Sequence, residues 1–190
     1  MRKVLVVASD SNELKGLDER WERCITGVGP VMAAVRTALA IERYKPDVVV
    51  STGSAGSLGP FRKGDVVSFS SVVTPDQDLT SFRVALGSTI GPDRATVGEL
   101  FTLDRESGYV LYSSGKFSSD ILPSHRTLKA DAADMEAYGA ALAARYAGVG
   151  FYIVKLITDI VGDRSDVGDV LFSYREGRER VFSFLSSILS

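Results

Sequence analysis

Asp47-Val48-Val49-Val50-Ser51-Thr52-Gly53-Ser54-Ala55-Gly56 runs from an unbroken apolar stretch straight into small residues. A short continuous apolar run suits a strand buried on both faces, as in a parallel sheet, rather than one alternating between core and water. Upstream, Lys3–Ala8 has the same character. Between the two lies Val31–Tyr44, whose apolar positions recur at helical spacing. Pro30 opens it at the first helical position, where the missing N–H costs nothing, and Pro46 stops it. Downstream, Thr52–Gly59 reads as a Gly/Ser segment, Gly64–Val73 as one further strand and Tyr109–Ser113 as another. Met135–Tyr146 is an alanine-rich helix, and Phe151–Thr158 is the last apolar strand. An amphipathic helix, Leu171–Leu189, closes the chain, its apolar side including Leu171, Val181, Leu185 and Ile188. Residues 74–108 are polar and lack sustained periodicity. Strands alternating with helices predict an α/β domain around a mixed, largely parallel central sheet.

With 190 residues, the chain has room for one well-filled domain, expected over residues 1–190. Twenty-two Lys+Arg against 24 Asp+Glu give a net charge of −2 with no basic tract, which argues against a nucleic-acid partner. The longest apolar run, Val4–Ala8, falls far short of the ~20 residues of a membrane span and of a signal-peptide core. One cysteine, Cys24, excludes an internal disulfide and makes a reducing cytoplasm the expected setting. With a single histidine, His125, beside that cysteine, a His/Cys zinc site lacks ligands. A nucleophile–histidine device would have to pass through His125, which as a lone loop histidine reads as solvated surface. Carboxylates must then do any proton work.

In parallel sheets, sites collect in the loops after the strands. Three carboxylates stand at such places: Glu13 in Ser9-Asp10-Ser11-Asn12-Glu13, Glu136 in Asp134-Met135-Glu136, and Asp159 in Thr158-Asp159-Ile160. Each alone has a plainer reading, Asp159 as a turn cap and Glu136 as an acid in a helix's first turn. Together, on three separate strand ends, they point to a site. The glycine-rich pieces are weak phosphate cradles. Gly27-Val28-Gly29 lacks a third glycine, since Met32 stands there, and Gly53–Gly59 lacks a Gly-Lys-Ser/Thr ending.

Ser51–Gly56, Lys63-Gly64-Asp65-Val66-Val67, Asp134-Met135-Glu136-Ala137 and Ile157-Thr158-Asp159, in that order, resemble the purine nucleoside phosphorylase/nucleosidase superfamily, and within it the 5'-methylthioadenosine/S-adenosylhomocysteine nucleosidases. The resemblance implies a three-layer, nucleoside phosphorylase-like sandwich. It implies hydrolysis of the N-glycosidic bond of a 5'-modified adenosine, in a homodimer, with no metal or organic cofactor. By resemblance, Asp159 is the acid that protonates the base at N7, with Thr158 beside it. Glu13 is the water-activating base, although Asn12 could be the aligned position. Glu136 binds the ribose hydroxyls, and Met135 packs beneath the sugar. Gly56 and Ser54 approach the ribosyl group, and Phe117 and Ser118 meet the base. Sister activities stay open: a phosphorylase, a futalosine-type hydrolase, or a nucleoside-binding protein without catalysis. The first loop, Ala8–Leu17, has no arginine to clamp phosphate, and Ser51 precedes Thr52-Gly53, so water is the better nucleophile. Two departures from the pattern stand out: a middle segment shortened within residues 83–108, and Lys116 where the base loop commonly has an acid.

Overall fold

A computed structural model describes residues 2–163 and 167–189, with residues 167–172 described by backbone alone. In chain order the elements are β1 (Val4–Ala8), β2 (Glu22–Ile25), α1 (Pro30–Tyr44), β3 (Val48–Ser51), β4 (Ser54–Ser57), β5 (Val66–Ser68), β6 (Ser71–Val73), β7 (Thr89–Ile90), β8 (Thr96–Val97), β9 (Leu100–Phe101), β10 (Val110–Ser113), α2 (Pro123–Thr127), β11 (Ala132–Asp134), α3 (Ala137–Tyr146), β12 (Gly150–Ile160) and α4 (Val167–Leu189). One mixed, mostly parallel sheet runs β2-β1-β3-β12-β4-β11-β10-β6-β9, with β5 added antiparallel on β12, while β7 and β8 form a separate hairpin.

The valine-rich strands are covered on both faces, as their continuous apolarity requires. Leu5, Val7 and Val49 point into a core shared with α1 and α3; their neighbours Val4, Val6, Val48 and Val50 point into a second core that contains Tyr174, Val181 and Leu185 of α4. Helix, sheet and helix make the three layers. Helices α1 and α3 touch closely because Gly139 lies against the carbonyl of Pro30, where any Cβ would collide. Long β12 joins the two halves of the sheet. Its first residues pair with β3 and its last with β4.

Several local expectations are corrected. Gly64–Val73 is two strands, because the chain changes partner at its middle. Phe69 N–H donates to the Ile153 carbonyl of β12, whereas Ser70 N–H donates to the Tyr109 carbonyl beside β10. The small residues of Thr52–Gly59 include a strand, β4, buried between β12 and β11. Strands β2 and β11 were not legible, being short and, in Ala132-Ala133, made of a poor strand former. The aperiodic middle segment folds as the β7–β8 hairpin followed by β9. The closing helix begins at Val167, and the side chain of Leu171 lies outside the described residues; Val181 and Leu185 are buried as expected, and Ile188 packs partly against them. Among the described residues no helix is long and apolar enough to cross a membrane.

Candidate active site

The carboxyl ends of β1, β11 and β12 and the first residues of β4 converge on one cavity of about 290 Å³. Glu13 reaches it from a single 3₁₀ turn, Ser11–Leu14, that follows β1. Asp10 caps the turn by accepting from Asn12 N–H at 2.8 Å, while Glu13 folds back to accept from Ser9 N–H at 2.9 Å and the Ser9 hydroxyl at 2.7 Å. Its second oxygen accepts from Ser54 N–H across the sheet at 3.1 Å. Gly53 makes room for this carboxylate, since a Cβ there would stand 2.7 Å from Oε1. Asn12 is exposed and spends its amide on Asp10, so of the two candidates Glu13 is the one that lines the cavity.

Asp159 is aimed by a β-bulge. Strand β12 pairs with β4 in step through Ile157 opposite Ala55 and resumes at Asp159 opposite Gly56, leaving Thr158 as an extra residue. Without it, period-two alternation would set Asp159 on the side of Ile157, inside the core under α1 and α3. Burial pushes the Asp159 carboxyl above its ordinary range, with the Thr158 hydroxyl and the charge of Lys63 pulling the other way. Thr158 donates to Oδ1 at 2.9 Å. The other oxygen lies over Gly56, where an added Cβ would approach it to 2.7 Å.

Glu136 stands just before α3, yet it does not cap that helix. Asp134 does, accepting from Ala137 N–H at 3.0 Å. Glu136 Oε1 instead accepts from Gly29 N–H, at the start of α1, at 3.0 Å. Beneath the pair lies Lys155, fully buried, which donates to Asp134 Oδ2 at 2.8 Å and to the Thr52 carbonyl at 2.9 Å. Burial would lower the Lys155 ammonium, but the charges of Asp134 and Glu136 hold it above its ordinary range. Burial and the neighbouring Asp134 charge push Glu136 up to about 7, against the pull of Lys155 and Gly29 N–H.

Of the residues singled out in the sequence, Glu13, Ser54, Gly56, Phe117, Ser118, Met135, Glu136 and Asp159 all line this cavity. Thr158 does not; it is buried behind Asp159. The plainer reading gives way at Glu136, whose side chain caps no helix and holds Gly29 N–H instead. Ser9, Asp10, Val28, Ala55, Ala133, Asp134 and Val161 complete the walls without having been among the candidate site residues. Lys155 was missed as well, although a lysine inside an otherwise apolar strand is a readable signal. Lys116 is exposed and does not line the cavity. His125 is a correction, being 2% exposed rather than solvated, and it sits in α2 against the ring of Tyr112. Among the described residues no group of His, Cys, Asp and Glu is placed to hold a metal ion.

The family model of the phosphorylase superfamily matches residues 23–190. The chain belongs to the phosphorylase superfamily. Among its relatives in that superfamily, the 5'-methylthioadenosine/S-adenosylhomocysteine nucleosidase of Anoxybacillus flavithermus is 31% identical, over 75% of this chain and 68% of the relative. The same fold is seen in the nucleosidase of that name from Neisseria meningitidis, solved with methylthio-immucillin-A, at a TM-score of 0.81 and 20% identity, covering 98% of this chain and all of the other. It is seen again in the Colwellia psychrerythraea enzyme solved with adenine, at a TM-score of 0.80 and 20% identity over 97% and 95% of the two chains. Within the superfamily fold, this chain's cavity carries five carboxylates, from Asp10, Glu13, Asp134, Glu136 and Asp159, and neither lysine nor arginine among its described lining residues.

Proposed function

We propose that this superfamily member is a nucleosidase that hydrolyses the N-glycosidic bond of a 5'-substituted adenosine (methylthioadenosine, S-adenosylhomocysteine or a close relative) and releases adenine. The observation that carries the reading is the cavity with Glu13, Glu136 and Asp159 on separate strand ends and no cation on its described walls. A phosphate dianion would enter against like charge with no guanidinium to hold it, whereas water enters freely.

Asp159, its carboxyl raised by burial, carries the proton to N7 of the purine. The bond between C1' and N9 breaks with its electron pair going to the base, and the ribosyl ring becomes oxocarbenium-like. Glu13, fixed by its backbone donors, takes a proton from water as the oxygen bonds to C1'. Glu136, tied through Oε1 to Gly29, turns its other oxygen to the ribose 2'- and 3'-hydroxyls. Met135 underlies the sugar, Ser54 and Gly56 flank it, and Phe117 stacks on the base beside Ser118, with Thr158 orienting Asp159. The whole chain acts as one domain in the cytoplasm. A homodimer fits the exposed apolar residues Val31, Val35 and Leu39 along α1, which water alone leaves uncovered.

Chromatography of free base over a panel of purine nucleosides, with and without phosphate, tests the reading. Adenine release from methylthioadenosine at a rate indifferent to phosphate is expected. Release only with phosphate would make the chain a phosphorylase, a different preferred base would move the substrate class, and binding without release would make it a carrier.

A further inference from the structure

The loop that walls the base side of the cavity, Ser114–Leu122, is tied down at both ends. At its start the Asp76 carboxylate accepts from Gly115 N–H at 2.6 Å and from the Ser114 hydroxyl at 3.1 Å. At its far end the tie is His125, the chain's one histidine, which the mechanism does not use. Leu122 N–H donates to Nδ1 of the ring at 3.0 Å. Because Nδ1 accepts, the proton of the neutral imidazole sits on Nε2, and Nε2 lies 3.5 Å from the Ser118 hydroxyl. The ring is held upright by the edge-on contact with Tyr112, centroids 4.2 Å apart and planes at 80°. Tyr112 is anchored in turn by a 3.0 Å bond between its hydroxyl and Ser124 Oγ.

We propose that His125 is a positioning residue for base recognition, its buried imidazole bridging Leu122 to Ser118 and so fixing the Phe117–Ser118 wall against the purine. The bridge continues into the catalytic strand end. Ser119, next along the loop, accepts from Gly162 N–H at 3.1 Å, and Gly162 follows Val161, which lines the cavity beside Asp159. Through that backbone bond the base wall is also fastened to the chain just after β12. Burial lowers the imidazole's proton affinity, which keeps Nδ1 available as an acceptor. The inference rests on the nucleosidase reading for its kinetic arm and on the fold alone for its exchange arm.

Three variants separate the two bonds. His125→Asn keeps an acceptor near the Nδ1 position for Leu122, His125→Gln places a donor near the Nε2 position for Ser118, and His125→Ala keeps neither. In the unliganded chain, hydrogen exchange of the amides of residues 117–119 is expected to quicken about five- to tenfold in His125→Ala, the range that loss of one ordinary hydrogen bond produces. KM for methylthioadenosine is expected to rise by a similar factor with kcat changed less than about twofold, His125→Gln restoring most of the KM and His125→Asn little of it. Ser118→Ala is expected to raise KM alike and to add nothing on top of His125→Ala, since two residues acting through one bond are not additive. Unchanged exchange at 117–119, additive KM effects, or a fall in kcat at constant KM each overturns the positioning role. If the wild-type chain releases no adenine, the nucleosidase reading fails, and the exchange result still decides whether His125 holds the loop.

Discussion

Glu136→Gln should make the protein more stable above neutral pH while making it a worse enzyme. In the folded chain the Glu136 carboxyl is pushed up to about 7 from an ordinary 4.5, first by burial and then by the Asp134 charge. A group that binds its proton more tightly in the folded state favours folding below its unfolded pKa. It loses that advantage as pH rises through its folded pKa. At about 1.4 kcal/mol for each pH unit between the two values, the loss between pH 4.5 and pH 8 amounts to about 3 kcal/mol. Glutamine keeps the oxygen that accepts from Gly29 N–H and carries no charge, so the variant lacks this pH dependence. Equilibrium urea unfolding of both proteins at pH 5 and pH 8 checks the sign. The variant should gain about 2–3 kcal/mol on the wild type between those conditions, or roughly 4–12 °C in Tm for a chain of this size. At pH 8, where the wild-type carboxylate is ionised, the variant should release adenine about 10- to 100-fold more slowly, because the sugar hydroxyls lose a charged acceptor. A stability difference that stays flat with pH would refute the buried, destabilised carboxylate. A loss of stability at pH 8 would return Glu136 to a helix-start role.

Asp159→Asn should bind nucleoside with nearly unchanged affinity yet lose turnover by about 10²–10⁴-fold, since proton donation goes while shape stays; calorimetry beside the base-release assay separates the two. Gly56→Ala sets a Cβ 2.7 Å from Asp159 Oδ2 and 3.0 Å from Val161, so kcat should fall at least about tenfold with a stability cost of about 1–3 kcal/mol in denaturant unfolding. Lys155→Met leaves the Asp134 carboxylate buried without its cation and should cost about 3–5 kcal/mol. Because Lys155 also pulls Glu136 down, the same variant should move the pH-dependent part of the stability curve to higher pH, and an unmoved curve would detach Lys155 from the site.

The local sequence determined the materials of this protein: buried strands from unbroken runs such as Val48-Val49-Val50, the α1 helix between Pro30 and Pro46, and carboxylates waiting at strand ends. Those features depend on period and on proline and glycine stereochemistry, which act within a few residues. Tertiary structure decided everything that needed a partner distant in the chain. Glu13 turns into the cavity to hold Ser54 N–H, forty-one residues away, and Asp134 became the helix cap while Lys155 neutralised it from another strand. Asp159 faces the cavity only because pairing with β4 admits an extra residue at Thr158. His125 is buried because Tyr112 and the loop around Ser118 close over it. A charge or a polar ring takes its character from what surrounds it in space, and no spacing along the chain encodes that surrounding.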